Sequence, residues 1–318
     1  YRSTTLLTGD DKYTRSRISA NYQGPVASDT DRRGSLYYQE TDVRQFTVDE
    51  RAGSTPPVRR ERLFNYDQQL IGADFVGEYL LSSQSVDHRL VYGVDIESRR
   101  IRESRDAVQI NLETGERTNV ILGETFPVSD FPNSRVNEVC VFIQDEISTG
   151  GAWTLIPALR FDYYDLDPGQ HSTTAVSVTD NAISPKLGFI YDISRNAQWF
   201  AHYAHGFRAP PFNDVNLTLD IPLFNIRALP NPDLESEKSD TLEWGIRSES
   251  LSQYFELSLF YSRYRDFIET NTLVGIDPDS GQLLFQSINL NRARIGGVEA
   301  RWHVELGSWT DTLENWYF

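Results

Sequence analysis

Strict alternation of apolar and polar residues is clearest in one short segment, TLEWGIR, at residues 241–247. Leu242 and Trp244 occupy one set of alternate positions, and Glu243 and Arg247 occupy the other. Successive side chains of a β-strand point to opposite faces of the sheet. The spacing therefore predicts a strand with one apolar face and one charged face, since a helix would repeat about every 3.6 residues.

The same alternation recurs along the chain, in stretches that are often ten or more residues long. Strands of soluble proteins average about five or six residues, so these are unusually long. We predict roughly twelve or thirteen strands and an all-β fold. The clearest further examples are residues 90–97, 155–163, 186–192 and 298–302.

The connections between the predicted strands alternate between short and long. This rhythm is typical of a transmembrane barrel, which has tight turns at its periplasmic end and large loops outside. Soluble sandwiches have no reason to keep it. The short connections lie near residues 83–87, 148–151, 194–196 and 249–252, and the long ones near 106–134, 166–181, 209–238 and 270–283.

Composition agrees with an antiparallel transmembrane β-barrel. No run of about twenty apolar residues occurs, which excludes a transmembrane helix. Aromatic residues make up 12% of the chain, and barrels use them as girdles at both membrane interfaces. A charge on the lipid face costs about 2–4 kcal/mol at mid-membrane, so the charged face must be the inner one. We predict that the lumen is lined by Arg160, Asp162, Lys186, Asp192, Glu243, Arg247, Glu299 and Arg301.

Several functional classes are excluded by the residues. A net charge of −16 argues against nucleic acid as a partner, because phosphate binding needs a basic surface. One cysteine and five scattered histidines give no zinc spacing, and we predict no bound metal and no intrinsic cofactor. Nucleophile elbows, P-loops and metalloprotease motifs do not occur, so we predict that the chain is not an enzyme. Cys140 reads as a packed strand residue.

Three segments carry a family resemblance. Residues 203–216 contain Phe207-Arg208-Ala209-Pro210, which resembles the FRAP box of haem and haemoglobin receptors of the TonB-dependent outer-membrane family. Residues 230–240 contain Asn231-Pro232-Asp233-Leu234, which resembles the NPNL box of the same family. Residues 260–268 and 289–299 resemble the paired strands that follow, and the likeness runs clearly from about residue 135 to 302.

The resemblance implies an architecture and a function. The family has a 22-stranded barrel with an N-terminal plug, so we expect residues 1–318 to be a partial barrel domain, its central part, without the plug. It implies a receptor in the outer membrane of a Gram-negative bacterium. Such a receptor takes up haem, free or from haemoglobin, for iron acquisition, with energy from a TonB-type partner. The expected partners are that protein, the haem or haemoglobin ligand, and outer-membrane lipid.

Two histidines are candidate haem ligands. In haem receptors of this kind a His between the two boxes often binds iron, but residues 211–229 contain no His, Tyr, Cys or Met. The nearest candidates are His202 and His205, since a neutral imidazole is a good haem ligand. They are three positions apart on one predicted strand, so their side chains lie on opposite faces and at most one of them faces the lumen. The alternative assignment is to an aromatic belt and a lumenal hydrogen-bond network.

Other functions remain open. A ferric-siderophore receptor would explain the missing histidine, and a passive porin-like barrel would share the architecture. A soluble β-sandwich binding module would share the alternation. The loop between the boxes is unusually apolar, and an exposed apolar patch often marks a contact surface, although these residues could equally pack within the loop itself. They are Leu217, Leu219, Ile221, Leu223, Phe224 and Ile226.

Overall fold

The protein is formed almost entirely of β-strands. A computed structural model describes residues 4–27, 30–169 and 175–305. Eleven strands of twelve or more residues form the framework within these ranges. They are β1 (Leu6–Ala27), β2 (Thr30–Arg51), β3 (Val58–Ser82), β4 (Asp87–Asn111), β8 (Ser134–Ser148), β9 (Trp153–Asp167), β10 (Val178–Ser194), β11 (Ala197–Arg208), β14 (Glu237–Glu249), β15 (Gln253–Ile276) and β16 (Leu283–Val304).

Short elements lie in two of the long connections. They are β5 (Arg117–Thr118), β6 (Val120–Ile121), β7 (Glu124–Thr125), the helix α1 (Phe212–Asn216), β12 (Leu219–Ile221), a 3₁₀ turn at Pro222–Phe224 and β13 (Ile226–Leu229). The helix has only five residues, and no helix among the described residues is long and apolar enough to cross a membrane.

Each long strand pairs antiparallel with its neighbour in the sequence. The exception to this meander is β13, which adds to β16 as a short parallel strand. Among the described residues β1 and β16 do not pair with each other, so the sheet is open. The predicted antiparallel all-β fold is confirmed.

The predicted rhythm of connections is also confirmed. Tight turns at residues 83–86, 149–152, 195–196 and 250–252 lie at one end of the sheet, and the longer connections lie at the other. Two strands extend further than predicted, because β4 continues to Asn111 and β15 to Ile276. Backbone pairing with β3 and β16 satisfies their N–H and C=O groups, whatever the polarity of the side chains.

The two faces of the sheet differ in polarity as predicted. The outward face carries exposed apolar side chains, and register partners share it: Leu242 faces Tyr261, and Trp244 faces Leu259. At the level of this apolar band, the charged residues lie on the inner face. Arg160 donates to Asp162 at 2.6 Å, and Gln198 donates to Asp192 at 2.7 Å. The alternation of apolar and polar side chains along each strand therefore produces both the lipid-facing band and the polar lumen.

The hydrophobic core lies at the long-loop end, on the inner face. It joins residues of β4 and β15, which are six positions apart in the sheet order. Such distant strands can share one cluster only if the sheet curves around the segment between them. That segment is residues 209–236, which we call the inner loop. The cluster contains Ile101, Val136, Tyr164, Leu166, Val215, Leu234 and Ile268.

Candidate functional site

The inner loop begins at the first sequence box. Phe207 and Arg208 end β11, and the two prolines that follow have no N–H to continue a ladder. Pro210 is fully buried, and its carbonyl accepts a 3.0 Å hydrogen bond from the Tyr164 hydroxyl. The box therefore turns the chain off the barrel wall and fixes its first buried turn.

One asparagine holds helix α1 at the long-loop end of the sheet. Asn216 is 1% exposed, and its side-chain amide bonds both backbone groups of Val176, with Nδ2 donating at 2.9 Å and Oδ1 accepting at 2.8 Å. The neighbouring Thr218 N–H donates to the carbonyl of Asp130 at 2.7 Å. Three long connections are therefore tied together at the end of α1. No local sequence signal distinguishes Asn216 from other loop asparagines.

The second sequence box anchors the return of the inner loop. Asn231 donates from Nδ2 to the Ser287 carbonyl at 2.8 Å and from its backbone N–H to the Val215 carbonyl at 3.1 Å. Its Oδ1 accepts from the Asp233 N–H at 3.1 Å, which shapes the turn around Pro232. Leu234 is 5% exposed and packs into the core. Among the described residues, the second box therefore anchors the end of the inner loop to β16 and to helix α1.

The two ends of the inner loop are joined by a carboxylate. Glu237 accepts from the Arg208 guanidinium at 2.9 Å and from the Ile268 N–H at 2.7 Å. Glu237, just after the second box, therefore links Arg208 of the first box to the backbone of β15. Because both ends are fixed to the wall, an opening of the loop would begin between them.

Two cavities lie beside helix α1 of the inner loop. One, of about 450 Å³, lies between the inner wall and the start of the loop; the other, of about 440 Å³, lies among the long connections near Asn216 and Thr218. Both volumes are in the range of ligand pockets. The first is lined in part by Asp95, Arg99, Arg160, Asp162, Arg208 and Phe212. Cys140 also lines it and is buried, as predicted. The arrangement suits a polar ligand held between wall and loop.

The two candidate histidines face opposite sides, as their parity predicts. His202 lies on the inner face, with its Nδ1 3.7 Å from Glu243. It is opposite Gly188 in the register, so one flank of the imidazole carries no side chain. His205 lies on the outward face, where its Nδ1 is 2.9 Å from Asp240, which also accepts from the Tyr203 hydroxyl. Only His202 can meet a ligand inside the barrel.

The apolar residues of the inner loop divide into two groups. Leu217, Leu219, Ile221 and Ile226 are half-buried, so part of the segment packs within its own surroundings. Leu223 and Phe224, in the 3₁₀ turn, are 56% and 66% exposed. The tip of the loop therefore offers a small apolar contact surface at the long-loop end.

The buried carboxyl group of Asp214 leads us to expect that closure of the inner loop depends on pH. Burial raises the pKa of Asp214 above its ordinary value, while a hydrogen bond from Ser287 lowers it. The ionised form is therefore penalised in the closed loop above the raised pKa. As the pH falls through that pKa, Asp214 gains a proton in the closed state and the penalty disappears.

We expect a nitroxide attached at Leu223→Cys to become less mobile as the pH is lowered from 8 to 5. Burial also raises the pKa of Asp130, which contributes in the same direction. Asp214→Asn should flatten the dependence measured by electron paramagnetic resonance, because it removes the charge and keeps an acceptor for Ser287. Greater mobility at pH 5 than at pH 8 would contradict this assignment.

No group of three or more His, Cys, Asp or Glu side chains suited to a metal ion occurs in the part of the chain that the structure describes. The candidate site is a polar inner surface that the inner loop covers.

Comparison with solved structures supports the fold. The ferric citrate transporter FecA in its unliganded form aligns with a TM-score of 0.66 at 17% identity, over 96% of this chain and 41% of that one. The Serratia marcescens hemophore receptor HasR, in complex with its hemophore HasA and heme, aligns with a TM-score of 0.61 at 14% identity, over 95% and 51%. At these identities the likeness shows the fold alone.

Comparison with curated sequences adds haemoglobin-binding proteins. The probable hemoglobin and hemoglobin-haptoglobin-binding protein 3 of Haemophilus influenzae is 34% identical over 122 residues, 36% of this chain and 11% of that protein. Hemoglobin-haptoglobin utilization protein B of Neisseria meningitidis serogroup C is 36% identical over 93 residues, 29% of this chain and 11% of that protein. The matched segments therefore span about a tenth of these relatives.

The family assignment rests on almost the whole chain. The model of the family described as TonB dependent receptor-like, beta-barrel matches residues 1–317. The open antiparallel sheet, the alternation of turns and loops, and the lipid-facing band agree with it. The chain therefore belongs to the β-barrel domain of the TonB-dependent receptors of the Gram-negative outer membrane.

Proposed function

We propose that the receptor containing this chain imports haem taken from haemoglobin, and so serves iron acquisition. The observation that carries the proposal is the similarity to haemoglobin-binding proteins of two genera. The ordered inner loop supports it, since the box that resembles haem receptors and the second family box build this one structure. The family consists of transporters and receptors, which agrees with a role in binding and transport.

In this proposal the outer connections capture the protein ligand and the inner loop controls entry of haem. The exposed Leu223 and Phe224 at the loop tip supply apolar contact. Displacement of α1 would open the space between the two cavities beside it. Energy would come from a TonB-type partner acting on the plug of the whole receptor, as the family resemblance implies.

We propose His202 as an imidazole ligand on the route of the haem. Its Nδ1 faces Glu243 at 3.7 Å, which leaves Nε2 for iron, and a carboxylate near the other nitrogen is a common orienting partner. His205 is excluded from this role by its outward position. The inward position of His202 supports this choice, which the sequence left open between the two histidines.

We expect His202→Ala to weaken haem binding at least fivefold in the full-length receptor. The measurement is titration of the purified protein with haemin, and separately with haemoglobin, while the Soret band is recorded. His205→Ala is the matched control, because it removes the same side chain three residues away on the other face. It should leave the titration within twofold of the wild type.

The same titration tests the proposed function itself. A saturable Soret shift that neither variant changes would keep haem as ligand but would contradict the role of His202. A folded receptor with no Soret shift would contradict haem uptake. It would favour a ferric siderophore, which is the second candidate because residues 211–229 contain no His, Tyr, Cys or Met.

A further inference from the structure

The second of the two cavities beside helix α1 has a buried carboxylate in its wall. Its volume of about 440 Å³ lies in the range of pockets that bind small molecules. The lining comes from three separate parts of the chain, which are β4, the connection after β4 and the inner loop. We call this space the acidic cavity. It is lined in part by Glu103, Ser104, Ser129, Phe131, Thr218 and Pro230.

Glu103 has one carboxylate oxygen without a partner. The residue is 6% exposed. Its Oε2 accepts from the Asp130 N–H at 2.7 Å and from the Ser129 hydroxyl at 3.1 Å. Its Oε1 is buried and has no hydrogen-bond partner within residues 4–27, 30–169 and 175–305. Buried polar groups of native proteins are normally hydrogen-bonded, so a donor that enters the cavity from outside the chain would supply the missing bond.

The carboxylates around Glu103 outnumber the cations. Arg105, two positions further along the same face of β4, is already paired with Glu124 at 3.0 Å and with Asp130 at 2.6 Å. In this part of the described chain, these four residues hold three carboxylates and one guanidinium. Burial raises the pKa of Glu103, and the charge of Asp130 raises it further. A cation in the cavity would offset both effects, because an opposite charge nearby favours the ionised carboxylate.

Apolar rings form another part of the lining. The ring of Phe131 makes an edge contact with the ring of Phe212, with centroids 5.0 Å apart. Three prolines also line the cavity, at positions 127, 132 and 230, and their rings fix the backbone φ angle. A site shaped in advance loses little conformational freedom when a ligand enters. Apolar walls with a few placed polar groups are typical of sites for small molecules.

The acidic cavity does not suit the ligand proposed for transport. Haem carries two propionate carboxylates, and the like charges of Glu103 and Asp130 would repel them. His202 is not among the residues that line this cavity. An occupant of the acidic cavity is therefore chemically distinct from haem, and its binding does not depend on haem uptake.

We propose that the acidic cavity binds a small organic cation, with an ammonium or guanidinium group on a short apolar body. The cationic group donates to Oε1 of Glu103, and the apolar body packs against Phe131 and the proline rings. Hydrogen bonds to charged groups are roughly twice as strong as neutral ones. The cavity therefore prefers a cation to a neutral donor of the same shape.

The first test is a calorimetric titration of the full-length receptor in detergent with benzylamine, benzyl alcohol and benzoate. These probes share an aromatic body and differ in charge, since they are a cation, a neutral alcohol and an anion. We expect benzylamine to bind saturably, benzyl alcohol to bind at least tenfold more weakly, and benzoate to show no saturable binding. Titration of each probe into detergent alone corrects for uptake by micelles. This comparison needs no variant.

Glu103→Gln should weaken benzylamine binding at least tenfold and leave the weaker binding of benzyl alcohol within twofold. Glutamine keeps an acceptor for the Asp130 N–H, so heat-modifiable gel mobility should show an intact barrel. Glu124→Gln is the matched control, because it removes the same charge from the same group, but Glu124 lines a neighbouring cavity. It should weaken benzylamine binding no more than threefold.

Three outcomes would each overturn the proposal. The first is the absence of saturable benzylamine binding. The second is equal affinity for benzylamine and benzyl alcohol, which would show that charge does not matter. The third is an equal loss of benzylamine binding in Glu103→Gln and Glu124→Gln, which would reduce the effect to the general negative field of the group.

Discussion

Asn216→Asp is expected to release the inner loop from the neighbouring connections at the long-loop end, while the strands stay folded. The substitution keeps the shape of the side chain but replaces the donor to the Val176 carbonyl by a carboxylate oxygen. Asn216 is 1% exposed, so the new charge would be buried beside a carbonyl oxygen. A lost buried hydrogen bond and an uncompensated charge together cost roughly 3 kcal/mol.

The measurement is hydrogen exchange of residues 209–236 in the full-length receptor. A cost of this size corresponds to about a hundredfold increase in the population of the open loop. Asn225→Asp is the control, because Asn225 also donates from Nδ2 to a carbonyl, that of Gly281 at 2.8 Å, but is exposed. It should cost only about 0.5–1 kcal/mol. Equal exchange in the two variants would show that the Asn216 contact does not hold the loop.

Gly245→Val is expected to impair assembly of the barrel wall itself. A Cβ at this position would lie 2.5 Å from the Leu257 carbonyl oxygen and 2.7 Å from the Phe200 ring. The ring can turn away, with loss of its contact to the Arg247 guanidinium, but the paired backbone of β15 cannot. Overpacking of this kind costs about 1–3 kcal/mol, and more where the backbone must move.

Thermal unfolding in detergent and the folded yield in outer membranes would measure this effect. We expect a lower unfolding temperature and a severalfold smaller yield. Gly34→Val is the control within another long strand, because its nearest atoms would be 3.4 and 3.7 Å from the new Cβ. It should fold like the wild type, and similar losses in both variants would point to a general intolerance of bulk in the strands.

The two predictions concern different levels of the structure. The first removes a contact between connections and should affect ligand entry, whereas the second strains the pairing of β14 with β15. A receptor that keeps its barrel but loses loop closure would show whether haem binding depends on the inner loop. Asn216→Asp therefore also serves as a probe of the proposed function.

The sequence alone predicted the strands, their faces and the rhythm of their connections. These properties are local. The alternation of apolar and polar residues can be seen within about eight residues of a strand, and proline or glycine marks where the strand ends. The same rule separated His202 from His205, although it did not say which of them faces inward. The predicted ends of β4 and β15 were less accurate, since backbone pairing continues where side-chain polarity changes.

Only the tertiary structure decided what the inner loop does. Asn216 acquires its role because Val176, forty residues earlier in the chain, is brought beside it by the curvature of the sheet. Glu237 likewise accepts from the Ile268 N–H because the fold brings together two residues that are thirty-one positions apart in the sequence. Alternation fixes the face on which a side chain lies, but its neighbours on that face are set by strand pairing between distant parts of the chain.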